Sequence, residues 1–406
     1  MTEPGTLILI MAIAVLAPLL AYRVARWVPV PLVIFEIGLG IVVGPDVLGW
    51  AEQDQFIEGL SDLGLTMLIF LAGYEIDFAA VRGDTLRRSL GAWLVALAVG
   101  LGIAFALSGG EVTRSFIIGT ALTSTALGTV LPVLRDSGDL RGPFGTVVLT
   151  FGAVGEFGPI IAMALLLSGR APGRSAALLL VFAAVTAVAV RLALRPRPAW
   201  FSGVITETLH SSGQFAVRYV MFVLAAMLGL AHVFGLDTLL GAFAAGVVSR
   251  LVLVGAAPHS SGEVMGRIEA MGFGFLVPVF FVVTGIDFDL SALLDDGRPL
   301  ALLPAFLLLF LMVRGGPLYC LAPPGWPRRD RAALALHGST CLPLVVAITT
   351  IGLDDEVIGA GEAAALVGAA MLSVLVFPLL ALRLRAPGRD RAPTQPASAE
   401  GGSETW

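Results

Sequence analysis

The stretch GAVGEFGPII, residues 152–161, places one carboxylate, Glu156, at the centre of an apolar run from Val147 to Leu167. On insertion scales a charged side chain at the middle of a bilayer costs about 2.5–3.5 kcal/mol. Such a group must face protein or water, and it needs a partner, a proton or an ion. A carboxyl removed from water favours its neutral form, so a proton and a hydrated cation can compete for Glu156. The structural alternative is a neutral glutamic acid hydrogen-bonded to a neighbouring helix. Gly152, Gly155 and Gly158 flank it and would let another backbone come close.

Hydroxyls form the second group of candidates. Thr123, Ser124 and Thr125 precede Pro132 in ALTSTALGTVLP (121–132), and Ser339 and Thr340 precede Pro343 in HGSTCLP (337–343). A helix broken at such a place frees carbonyls to ligate a cation and N–H groups that favour anions. Hydroxyl oxygens can help replace the lost hydration of a hard alkali ion. Each hydroxyl can equally bond back to the preceding helical turn.

Other polar residues fall in apolar segments. Arg314, in LLFLMVRGGPLY (308–319), is the one basic residue deep within a span. It either snorkels towards a helix end, pairs with Glu156 when no ion is bound, or neutralises helix dipoles at the breaks. Glu36 and Glu75 are candidates for second-site or gating groups. His337 could titrate beside the second break; the alternative is a hydrogen-bonded structural histidine. Asp46, in VGPDVLG, is expected to cap the turn after Gly44-Pro45. Cys320 and Cys341 lack metal-like spacing and read as small buried hydrophobes.

The composition says what must hold these groups. Of 406 residues 57% are hydrophobic and 14% charged, and the mean hydropathy is +0.91. Soluble domains carry about 25% charged residues, so the chain is an all-α integral membrane protein. With spans of about 20 residues, thirteen are predicted: 6–25, 30–49, 59–77, 89–108, 115–134, 143–168, 175–194, 214–233, 237–255, 268–286, 299–321, 331–351 and 361–382. Residues 1–385 form one transmembrane domain; 386–406, rich in Pro, Ser and Glu, are expected to be a disordered cytoplasmic tail. No cleaved signal peptide is expected, because residues 1–5 lack a basic region.

Every basic residue is an arginine, and there are 25. Twenty fall in the loops after odd-numbered spans and in the tail, four fall in the others, and Arg314 lies inside a span. The asymmetry puts the N-terminus outside and the C-terminus in the cytoplasm of a bacterial inner membrane.

An internal repeat runs through the spans. LIFLAGYEIDF (68–78) is echoed by VFFVVTGIDFDL (279–290), IGLGIVVG (37–44) by LLGAFAAGVV (239–248), and the first broken segment by the second. Asp77 to Asp287 is 210 residues, Gly44 to Gly246 is 202, and Ser124 to Ser339 is 215. The units lie seven spans apart, an odd number, so they are inverted. Two inverted repeats, each with one interrupted helix, point to a secondary transporter with a midplane site.

In family order, IGLGIVVGPDVLG (37–49), DLGLTMLIFLAGYEID (62–77), TALTSTALGTVLPVLRDSG (120–138), LLGAFAAGVV (239–248) and VPVFFVVTGIDFDL (277–290) resemble the monovalent cation:proton antiporter-2 family of the sodium/hydrogen exchanger superfamily. The likeness covers about residues 6–385. It implies a core domain with two crossed, unwound helices, a separate dimerisation domain, a homodimer, and elevator-like alternating access. The family's Asp-Asp, Asn-Asp or Gln-Asp pair on the helix after the first broken one reads Gly155-Glu156 here, so Glu156 looks like the proton- and cation-binding carboxylate. Arg314 looks like the family's basic residue on the eleventh span. His337-Gly338-Ser339-Thr340 departs from the Arg-Gly-Glu-Phe type sequence of many relatives. With one carboxylate at the site, electroneutral exchange of one proton per cation is the simplest stoichiometry.

The resulting expectation is a proton-coupled antiporter of Na⁺ or K⁺ in a lipid bilayer. The rival readings are an uncoupled cation channel and a non-transporting membrane sensor on the same scaffold. An enzyme is not expected, since no nucleophile elbow or HExxH spacing occurs. No cofactor and no nucleic-acid partner is expected either: the Gly-x-Gly at 38–40 lies inside a span, without a βαβ context.

Overall fold

In the computed structural model, residues 3–24, 30–51, 54–75, 83–166, 172–195, 199–209, 211, 213–258, 260–295 and 297–385 are described. The tail 386–406 and Asp77 lie outside them. The chain folds as α1 (Glu3–Val24), α2 (Leu32–Val43), α3 (Gln55–Glu75), α4 (Asp84–Leu107), α5 (Val112–Leu122), α6 (Leu127–Asp136), α7 (Pro143–Leu166), α8 (Pro172–Ala193), α9 (Ala199–Thr208), α10 (Phe215–Phe234) and α11 (Thr238–Ala256). There follow α12 (Ser261–Ile286), α13 (Leu290–Leu294), α14 (Arg298–Leu321), α15 (Arg328–Gly338), α16 (Pro343–Asp354) and α17 (Ala360–Arg385). No strand occurs among the described residues.

Among the described residues ten helical segments are long and apolar enough to cross a bilayer, the α15–α16 pair counting as one of them. The shorter apolar α2 and α8 and the interrupted α5–α6 pair stand where the other three of the thirteen expected spans fall. The outer helices face lipid: only 17% of the α1 window is buried, and Ile8, Val15 and Leu19 point outward. The inner ones do not. Buried shares are 72% for α7, which carries Glu156, and 78% for the α15–α16 segment, which carries Ser339 and Thr340.

Both interruptions are present. Thr123–Ala126 separates α5 from α6, and Ser339–Leu342 separates α15 from α16. Pro343 opens α16, as a residue without an N–H can. Pro132, expected to line the first break, instead falls inside α6. The unwound backbone begins nine residues earlier, at the hydroxyl cluster.

The repeat motifs explain the scaffold. A Cβ on Gly40 of α2 would strike the Val282 carbonyl of α12, and one on Gly285 would strike Ile37 of α2. Likewise, a Cβ on Gly73 of α3 would strike the Phe243 carbonyl of α11, and one on Gly246 would strike Phe70. Exchanging the repeats maps α2 onto α11 and α3 onto α12, so the two backbone-close crossings are counterparts. Helices in lipid associate through such close packing of small residues.

Loop ends are tied by polar contacts. Asp46 does not cap its own turn; its carboxylate accepts the Ser291 N–H at 2.9 Å, joining the end of α2 to α13. At the opposite end, Arg385 bonds Asp139 at 2.8 Å and Asp330 at 2.5 Å, and its guanidinium lies 3.6 Å from the centre of the Phe144 ring. The Arg385 hydrogen bond holds the Asp139 carboxyl below the usual carboxylate range, against a smaller effect of burial.

Candidate ion-exchange site

The centre of the molecule is where the two interrupted helices cross. The Ala126 N–H donates to the Thr340 carbonyl at 2.7 Å, and the Thr125 hydroxyl donates to the Gly338 carbonyl at 2.5 Å. Each unwound strand thereby satisfies groups that its partner's missing helical turn would otherwise leave bare.

Helix α7 closes the site from the side, for a reason written in its sequence. Pro159 has no N–H, so the Gly155 carbonyl, four residues earlier, lacks its helical donor. The Thr125 N–H supplies one, at 3.0 Å. One residue on, the Glu156 carboxyl faces the backbone N–H of Leu127. Leu127 is the first residue of α6, where free N–H groups and the helix dipole favour a negative charge.

Glu156 is 3% exposed, and its Oε2 has no hydrogen-bond partner. The half-buried Glu75, at the end of α3, lies within electrostatic reach. Phe157, beside Glu156, stacks on Phe243 of α11 at 4.5 Å and fixes how α7 meets that helix.

Arg314 is fully buried. It does not snorkel. It sits in a widened helical turn, Phe310–Gly315 of α14, of the kind often found at functional sites. Its Nε donates to the Thr125 hydroxyl at 2.9 Å and its Nη2 to the Phe151 carbonyl at 2.8 Å, while Nη1 is without a partner. No ion pair within 4.0 Å joins it to Glu156. The guanidinium fills the space that a side chain at 155 would take, since a Cβ on Gly155 would collide with Arg314 and with the Thr125 hydroxyl.

The remaining hydroxyls turn backwards. Thr123 donates to Thr120, Ser124 to Ala121, Ser339 to Ala335 and Thr340 to Leu336, at 2.8–3.2 Å. Of the five candidates, Thr125 alone reaches across to the other repeat. With the protons of the other four committed to the helix, their oxygen lone pairs stay available as acceptors. Among the described residues no three His, Cys, Asp or Glu side chains gather as metal ligands do. An ion here would therefore meet one carboxylate, hydroxyls and unwound carbonyls.

His337 is buried at the end of α15, with both ring nitrogens unpartnered and its ring 6.1 Å from that of Phe144. The expected hydrogen-bonded histidine is not what the structure shows. Glu36 is 3% exposed on α2 and does not join the hydrogen bonds of the crossing. Cys341 is buried as expected, but Cys320 is exposed. Reading the sequence missed several participants: the Phe151 and Gly338 carbonyls, the Leu127 N–H, and Arg250, whose Nη1 caps the Tyr74 carbonyl at 2.9 Å. The Gly155-to-Pro159 spacing was the available signal for one of them. Ser373 of α17 was also missed. It accepts the Cys341 N–H at 3.1 Å and so closes the second break as α7 closes the first.

Comparison with known proteins places this arrangement. Residues 11–382 match the profile described as "Sodium/hydrogen exchanger, transmembrane". YjbQ of Bacillus subtilis strain 168 is 26% identical over 399 residues, 93% of this chain and 62% of YjbQ. The Na⁺/H⁺-K⁺ antiporter GerN of Bacillus cereus is 26% identical over 265 residues, 63% of this chain and 65% of GerN. The chain thus spans under two thirds of the length of these two relatives. The structure of the sodium proton antiporter MjNhaP1 from Methanocaldococcus jannaschii at pH 8 superposes with a TM-score of 0.63 at 16% identity, covering 92% of this chain and 97% of that one.

Proposed function

This chain belongs to the sodium/hydrogen exchanger family, and on that premise we propose that it is a secondary active antiporter exchanging protons for Na⁺ or K⁺ across the cytoplasmic membrane. Glu156 is the shared carrier in this reading. The observation that carries it is a buried carboxylate that faces the first turn of a broken helix, with its Oε2 unpartnered. That free oxygen takes a proton in one half of the cycle and a dehydrated cation in the other. The lone pairs of Thr123, Ser124, Ser339 and Thr340, with the unwound carbonyls, then replace part of the cation's water.

Arg314 acts as a fixed charge partner. Its bonds to Thr125 and Phe151 hold the crossing while Glu156 changes charge. Glu75 is the secondary or gating carboxyl. With Gly155 carrying no side chain, one carboxylate exchanges one proton per cation, and the cycle moves no net charge. Na⁺ is favoured by the names of the relatives, and K⁺ by that of GerN. Alternating access in a homodimer, with the N-terminus outside and the C-terminus in the cytoplasm, completes the proposal.

Proteoliposomes carrying an inside-acid pH gradient test it. Addition of Na⁺ or K⁺ outside is expected to make the lumen of wild-type vesicles alkaline and to leave Glu156→Gln vesicles unchanged. Equal responses from the two proteins would remove Glu156 from the mechanism. Cation flux without proton movement would favour the channel reading.

A further inference from the structure

Next to the crossing, along α6, a cavity of about 700 Å³ lies between α2, α6 and α12 and the last turns of α1 and α17. Drug-sized ligand pockets span roughly 300–1,000 Å³. Its walls are mostly apolar, with Val33, Leu68, Val277 and Phe281 among them, all buried. One charged group lines it, Glu36. This carboxylate is 3% exposed and has no hydrogen bond or ion pair among the described residues. Glu156 does not line the cavity.

A carboxylate in an apolar hollow must be matched by a proton or a cation. A bare alkali ion is a poor match, because it needs several oxygens in place of its hydration shell. Of the three hydroxyls here, those of Thr129 and Ser137 donate to their own helices, at 2.9 Å and 3.2 Å, and Tyr22 is an exposed side chain. An organic cation suits the chemistry better: its ammonium bonds Glu36 and its hydrocarbon body covers the apolar walls. We propose that this cavity is a binding site for hydrophobic amines, with Glu36 as the counter-ion.

Equilibrium dialysis of the protein in lipid nanodiscs tests this, with 1-adamantylamine as the probe, 1-adamantanol as its neutral isostere, and empty nanodiscs as the partitioning control. Wild type is expected to bind the amine saturably and about tenfold more tightly than the alcohol, the order a charge-assisted hydrogen bond supplies. Glu36→Gln should abolish that preference, Val277→Trp should block both probes by filling the cavity, and Glu156→Gln should change neither. Melting temperatures near that of wild type show that the variants are folded. Equal binding of amine and alcohol by wild type would overturn the proposal, as would an undiminished preference in Glu36→Gln. Loss of amine binding in Glu156→Gln would move the site to the crossing and overturn it too. Dialysis reads binding without transport, so this inference and the exchange reading fail independently.

Discussion

Gly155 and Pro159 stand one helical turn apart on α7, and the carbonyl that Pro159 leaves without a donor accepts the Thr125 N–H of the broken helix at 3.0 Å. A gap in one helix is thus filled by a gap in another. The contact fixes Thr125, and through it Arg314 and the Gly338 carbonyl, beside the carboxylate that follows Gly155 in the chain. Pro159→Ala restores an N–H that competes for this carbonyl. The expected result is a thermal stability equal to or above wild type, since an interior proline is unfavourable in a helix. Apparent Na⁺ affinity should fall by about tenfold, the worth of roughly one hydrogen bond. Concentration-dependent exchange in proteoliposomes, read beside a melting curve, checks both.

Crowding at residue 155 gives a second test. Gly155→Ala places a Cβ against the Arg314 guanidinium and the Thr125 hydroxyl. Overpacking of this kind costs about 1–3 kcal/mol, so the variant should melt below wild type. In Gly155→Ala/Arg314→Ala the clash is relieved, and the loss should be smaller than the sum of the two single losses. Strict additivity would mean that Gly155 is not there to make room for the arginine.

Arg314→Lys keeps the charge and loses the geometry. Guanidinium presents donors in a fixed fork and here bonds the Thr125 hydroxyl and the Phe151 carbonyl in two directions. A lysine is expected to keep one of these bonds at most, lowering stability by about 1–3 kcal/mol for the buried acceptor left bare. Differential scanning fluorimetry of the purified variant is the direct check.

Much of this was legible in the sequence. Composition and span length give the all-helical membrane fold, and the motifs at 37–44, 68–78, 239–248 and 279–290 give the repeat; that their glycines form the crossings of α2 with α12 and α3 with α11 came only from the structure. Glu156 and the two hydroxyl clusters were visible because polar residues are costly in lipid. Backbone groups were not visible: the Phe151 and Gly338 carbonyls and the Leu127 N–H belong to no residue type. Nor does a hydroxyl in the sequence say which way it turns. Thr125 crosses to the other repeat while Thr123 and Ser124 bond back, a difference set by where the helix stops. The short α9 carries no apolar run of spanning length and passed for loop.

Acid stability should report on the latch at the far end of the molecule. Arg385 lowers the folded-state pKa of Asp139 below its unfolded value of about 4. Stability from this pair is therefore fully present above the unfolded value and is lost as pH falls through the folded one. Asp139→Asn should melt below wild type at pH 7, and the gap should close as the pH is lowered through the acid range. A gap independent of pH would assign the loss to packing.

The central claim is that proton and cation share Glu156, and proton release on cation binding tests it most directly. Titrating Na⁺ or K⁺ into the purified protein by calorimetry, in buffers of different ionisation enthalpy, gives the protons released per cation bound. Wild type is expected to release about one proton per cation, as a ligand that must deprotonate to bind does, and Glu156→Gln none. Cation binding with no proton release, or the same release from Glu156→Gln, would contradict the claim.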